Sequence, residues 1–288
     1  MLKKLIKHDF RALSRTLFPV QIGVLSGTLL ATLLMALTLK QNFFTYGESG
    51  FTVGSGLFAG FSMVIVFLLG MAVMASWMAT FVIVCAHFYR NFLGDEGYLT
   101  FTLPVTSGQL LLSKSITGML WLVISFAVIC VSGLIFLTFG TAAEGIMNIE
   151  LLRDIGGLFS SLPDLSQYIN VPVFIVELLL SAVAGLAAFL LEVYFAIIVG
   201  GQVAKKHKVL AGIGMYLVIN FVVGIVRNIL YLFGWGVDGT NLLLSGGEFN
   251  ASLFMHSTLL VSIGINALLA VSFYFWSRHL LKKRLNLQ

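Results

Sequence analysis

Apolar residues gather in six long stretches, at 20–39, 57–86, 116–139, 173–199, 209–233 and 254–276. At about 1.5 Å per residue, a helix of this length crosses a hydrocarbon core of roughly 30 Å. The stretches at 57–86 and 173–199 are long enough that tilting, or projection beyond the bilayer, is expected. Positions 1–18 follow a different pattern. Leu2, Leu5, Ile6, Phe10, Leu13 and Leu17 recur every three or four residues, while Lys3, Lys4, Lys7, Arg11 and Arg15 fill the opposite face. This spacing predicts an amphipathic helix in the membrane interface. Pro19 allows a change of direction into the first span, because it lacks the N–H of a continuous helix. The expected fold is therefore all-α, an interfacial helix at 1–18 followed by a six-helix transmembrane domain at 19–288.

Composition agrees. Hydrophobic residues make up 59% of the 288 and charged residues 10%, against about 25% charged in a soluble domain. One water-soluble core could not hide so much apolar side chain. Cys85 and Cys130 both fall in apolar stretches, so neither a disulfide nor a metal site is indicated.

Charge sets the expected orientation. Six crossings with the amino terminus inside put 14 of the 17 basic residues on the cytoplasmic side, among them Arg90, Lys114, Lys205, Lys206 and Lys208. Lys40 and Arg153 fall outside, with Glu48, Glu144, Glu150, Asp154, Asp164, Asp238 and Glu248, and Arg227 lies within a span. The positive-inside rule then places both termini in the cytoplasm. The net charge of +5 is explained by orientation, so no nucleic-acid partner is expected. The loops at 41–56 and 234–253 are short and rich in Gly; 140–172 is longer, with a helical pattern at 149–158 suited to a short interfacial helix.

No catalytic set stands out. The chain has neither a G-x-x-x-x-G-K-[ST] phosphate loop nor an H-E-x-x-H pair, so no enzymatic role, metal or cofactor is expected in it. His8, His87, His207, His256 and His279 lie near span ends or in basic tails and read as interface-seeking.

The segment 87–115, between the second and third spans, is unusual for a soluble loop. It carries Phe88, Tyr89, Phe92, Tyr98, Leu99, Phe101 and Leu103. Asp95 can cap a helical turn, Pro104 breaks it, and Thr106 or Ser107 can cap a second helix running through Gln109 toward Lys114. Two short helices with an exposed aromatic face suit either the headgroup layer or a groove on a partner.

The run Gly94-Asp95-Glu96-Gly97-Tyr98-Leu99-Thr100-Phe101-Thr102-Leu103-Pro104-Val105-Thr106, followed by Gln109-Leu110-Leu111-Leu112-Ser113-Lys114, resembles that of permease subunits of bacterial ABC-2 type transporters, especially a Gram-positive branch. The basic amphipathic start resembles their interfacial helix, and the likeness in span number and orientation covers the whole chain. The resemblance implies a bacterial plasma-membrane protein that assembles with a second permease copy or paralogue and with a separate ATP-binding subunit. ATP and Mg would bind that partner. Segment 87–115 would be the cytoplasmic coupling region that docks on it. Tyr98, Leu99, Phe101 and Leu103 would be anchors, Asp95 and Glu96 caps or charge partners, Pro104 the bend and Gln109 part of the second helix. The chain departs from the family in having its larger outer loop before the fourth span rather than re-entrant helices before the last.

Polar residues within the spans are the other candidates. Placing Glu177, Glu192 or Arg227 in lipid costs roughly 2.5–3.5 kcal/mol each, so each needs a partner, a cavity or water. Glu177 and Arg227 share the outer leaflet and could pair, while Asn220, Asn228 and Asn266 bridge helices or line the same interior. The leading expectation is an export permease for an amphiphilic substrate such as a peptide, a lipid-like molecule or a drug. The alternative is a non-transporting sensor or immunity subunit associated with an ATPase.

Overall fold

A computed structural model describes residues 2–40, 44–47, 50–53, 57–94, 105–142, 170–204, 207–244 and 251–285. It contains the helices α1 (Leu2–Lys40), α2 (Leu57–Leu93), α3 (Ser107–Ala142), α4 (Val171–Val203), α5 (Lys208–Leu244) and α6 (Ala251–Leu285). Each has an apolar run long enough to cross a membrane. The protein is an all-α polytopic membrane protein, with six membrane-spanning helices among the described residues. Among these six helices the shortest, α4, has 33 residues, about 50 Å of axis, so each of them outruns a hydrocarbon core of roughly 30 Å.

Several expected boundaries change. The stretch 1–18 is not a separate element, because α1 runs uninterrupted through Pro19. One missing backbone hydrogen bond does not end a helix whose neighbouring turns are intact. Lys3, Lys4, Lys7, Arg11 and Arg15 are nevertheless exposed, while Leu13 and Leu17 are buried. The second short helix expected after Pro104 is instead the start of α3. Its cap is Thr106, one of the two residues expected there: the Gln109 amide donates to Thr106 Oγ1 at 3.3 Å. Helix α5 continues to Leu244, into the stretch expected to be a loop. Between α1 and α2, β1 (Phe44–Gly47) and β2 (Gly50–Val53) form an antiparallel hairpin pairing Phe44 with Val53. Residues 149–158 lie outside the described residues.

The chain groups into two compact units. The first comprises Met1–Asp9, Cys85–Met119 and Ser160–Gln288. Here α4 packs on both α5 and α6, and Leu190, Leu191, Glu192, Val193 and Tyr194 are buried in succession. This stretch of α4 is buried on every side, while Val173, Val176, Leu179 and Val183 in the first half of the helix are exposed. Contacts Glu177–His256 and Ser181–Ser262 climb together along the chain, so α4 and α6 run parallel. Contacts of Glu192 with Asn220 and of Gly200 with Gly212 set α5 antiparallel to α4. A Cβ at Gly200 would strike the Gly212 backbone, so this close approach needs glycine.

The second unit comprises Phe10–Val84 and Leu120–Phe159. Its helices are joined by a buried polar chain. Gln21 Nε2 donates to Thr80 Oγ1 at 3.0 Å, and Thr80 Oγ1 lies 3.1 Å from Ser125 Oγ. Thr80 gives its own proton to the Ser76 carbonyl at 2.9 Å. The group facing it must therefore be a donor, which fixes the Gln21 amide orientation.

Candidate functional site

Two polar clusters lie in the first unit, one buried and one part-buried. One forms where α1 begins, α2 ends and α3 begins. Lys114 Nζ is 2.5 Å from Asp9 Oδ1, and Ser113 Oγ donates to Asp9 Oδ2 at 2.7 Å, so both carboxylate oxygens are engaged. Asp9 and Lys114 side chains are 6% and 5% exposed. Two charges taken so far from water are tolerable only when paired and hydrogen-bonded. Lys114 Nζ also reaches His87 Nε2 at 3.2 Å.

The cluster extends to α4. The Tyr194 hydroxyl points to the Lys114 carbonyl at 3.4 Å, a long contact. The Phe88 ring lies flat on Tyr194, centroids 3.8 Å apart and planes 5° from parallel. Phe88 and Tyr194 are fully buried. Residues on either side of 95–104 thus meet α1 and α4 at one place.

Of the residues expected to couple to an ATPase, Gln109 lies half-buried in the first turn of α3. Asp95, Glu96, Tyr98, Leu99, Phe101, Leu103 and Pro104 lie outside the described residues.

The second cluster is a seam among α4, α5 and α6. His256 Nδ1 is 2.6 Å from Glu177 Oε2. Further along, Ser262 Oγ lies 3.3 Å from Ser181 Oγ, accepts from the Tyr231 hydroxyl at 3.2 Å and from Asn266 Nδ2 at 3.3 Å. Glu192, 2% exposed, accepts from Asn220 Nδ2 at 3.1 Å. On α4 the positions 177, 181, 185, 188 and 192 repeat every three or four residues, so the seam follows one helix face.

The expected Glu177–Arg227 pair does not form. In the antiparallel α4–α5 register, seven residues on from Asn220 is Arg227, and seven back from Glu192 is Gly185. Glu177 lies eight residues beyond Gly185, about 12 Å along the axis. His256 takes its carboxylate instead. Arg227 Nε is buried and has no hydrogen-bond partner among the described residues. Asn266 joins the seam through Ser262 of its own helix, a bond within α6; Asn228 is exposed.

Reading the sequence missed Asp9, Tyr194 and Ser262, and assigned His256 to the interface. Asp9 carried a usable signal: it continues the Ile6, Leu13 and Leu17 stripe, so a lone carboxylate sits on an apolar face. Among the described residues, no group of three or more His, Cys, Asp or Glu could hold a metal ion. No protein-family model, no curated protein and no solved structure matches this chain.

Proposed function

We propose that the protein is the permease subunit of an ATP-driven exporter of the ABC-2 type, with segment 87–115 as its coupling region. The carrying observation is the cluster around Asp9 and Lys114, where both flanks of 95–104 engage α1 and α4. A partner ATPase pressing on 95–104 would load α2 and α3 together. Phe88 and Lys114 pass that load to Tyr194, in the buried second half of α4. Helix α4 in turn carries the polar seam shared with α5 and α6. Two packings of such a seam would give inward- and outward-open states, a familiar form of bistable coupling. ATP and Mg bind the partner, and a second permease copy or paralogue completes the path. The substrate is an amphiphile: a peptide, a lipid-like molecule or a drug. Both termini face the cytoplasm, as the basic residues favour.

The test is association. Phe101→Asp and Leu103→Asp put a charge where an apolar anchor is needed. Coexpressed with the partner ATPase, each variant should insert normally but copurify less ATPase and stimulate less hydrolysis. Wild-type association and turnover in both would remove the coupling role. Lys206→Cys should resist impermeant reagents in intact cells and Asp154→Cys should react; the reverse pattern would invert the orientation.

A further inference from the structure

The second unit contains a cavity of about 600 Å³ between α1 and α3, within the roughly 300–1,000 Å³ of ligand sites. Its walls are mostly apolar, formed by Phe10, Phe18, Ile22, Leu25, Ile124 and Val128. Phe18 and Ile22 are 59% and 50% exposed, so the cavity opens on the outer surface of α1. Arg11 and Arg15 stand beside it, three residues before the lining Ser14 and Phe18 and so on nearly the same face. Both arginines are exposed and neither pairs with a carboxylate among the described residues.

A polar group in the wall also lacks a partner. Trp121 is 2% exposed, yet its Nε1 donor makes no hydrogen bond among the described residues. An indole N–H buried in this way normally finds an acceptor. Phe10 stacks on the indole with centroids 5.1 Å apart. Phe10 is itself 36% exposed and so stands between the indole and the open side of the cavity.

We propose that this cavity seats an anionic phospholipid, its acyl chains against the apolar walls and its phosphate between Arg11 and Arg15. Guanidinium groups match phosphate oxygens in geometry and charge. A glycerol-ester carbonyl, at the boundary between phosphate and chains, supplies the acceptor that Trp121 lacks once Phe10 moves. The site does not depend on the transport reading: lipid can occupy it whether or not an ATPase binds.

Native mass spectrometry of the full chain, released from nanodiscs of equimolar dioleoyl phosphatidylglycerol and dioleoyl phosphatidylcholine, tests this. One phosphatidylglycerol per chain should be retained in preference to phosphatidylcholine. The double variant Arg11→Gln/Arg15→Gln should lower that preference by about fivefold per arginine. These side chains are exposed, so folding should be unaffected. Val128→Trp should fill the cavity and abolish retention. Equal retention of the two lipids would overturn the proposal, as would a preference unchanged in the arginine double variant. Retention surviving in a folded Val128→Trp protein would place the lipid elsewhere and also overturn it.

Discussion

Lys114 Nζ lies 2.5 Å from Asp9 Oδ1, joining side chains 105 positions apart and both nearly removed from solvent. A buried pair of this kind is a weak source of net stability, but breaking it from one side strands a charge. Asp9→Asn or Lys114→Met should each cost about 3–5 kcal/mol. The double variant should cost clearly less than the sum. Unfolding in detergent, run as a double-mutant cycle, measures the difference. Additive losses would mean that the two side chains do not support one another.

Glu177 should couple to His256 and not to Arg227. A hydrogen bond involving a charged group contributes roughly 1.5–3 kcal/mol, and Glu177 reaches His256 at 2.6 Å. Cycles built from Glu177→Gln with His256→Gln, and from Glu177→Gln with Arg227→Gln, separate the two arrangements. A larger interaction energy in the second cycle would restore the pairing that leaflet depth alone favoured.

That contrast locates the limit of the sequence. The six apolar runs were readable because a bilayer demands about twenty apolar residues in a row, and each run lies in one of the six helices. Depth was readable too, which is why Glu177 and Arg227 looked like partners. Register was not: whether Arg227 lies level with Gly185 or with Glu177 depends on how α5 slides along α4, and the Gly200–Gly212 approach sets that. Pro19 misled for a related reason, since local chemistry permits a break there but α1 continues. The aromatic segment at 98–103 was conspicuous in sequence, and its role rests on the proposed partner.

Gly200→Val should disrupt the α4–α5 contact, because the obstacle is the Gly212 backbone rather than a side chain that can turn away. Overpacking of this kind costs about 1–3 kcal/mol, and more where backbone must move. Gly214→Ala, on the same α5 helix with nothing within 4 Å of the added carbon, is the control. It should be neutral or slightly stabilising, since Ala is the better helix former. Thermal unfolding of both in detergent decides the matter; equal behaviour would discount the close approach.

Phe88→Leu should separate ATPase binding from ATPase response. Phe88 lies on the fully buried Tyr194 ring at 3.8 Å, one residue after His87 of the Asp9–Lys114 cluster. If the partner ATPase docks on 95–104, Phe88, at the end of α2 before that segment, transmits its movement to α4 through this stack. Leu keeps much of the apolar volume, so the protein should still insert, fold and copurify the ATPase. The flat aromatic contact is lost, at about 0.5–1.5 kcal/mol beyond buried area. Hydrolysis stimulated by the permease, and transport with it, should then fall while association stays near wild type. Phe101→Asp should instead lower association itself. Measuring copurified ATPase and its turnover for both variants, at matched permease levels, distinguishes a docking residue from a transmitting one. Normal turnover in a folded Phe88→Leu permease would remove Phe88 and Tyr194 from the route into α4.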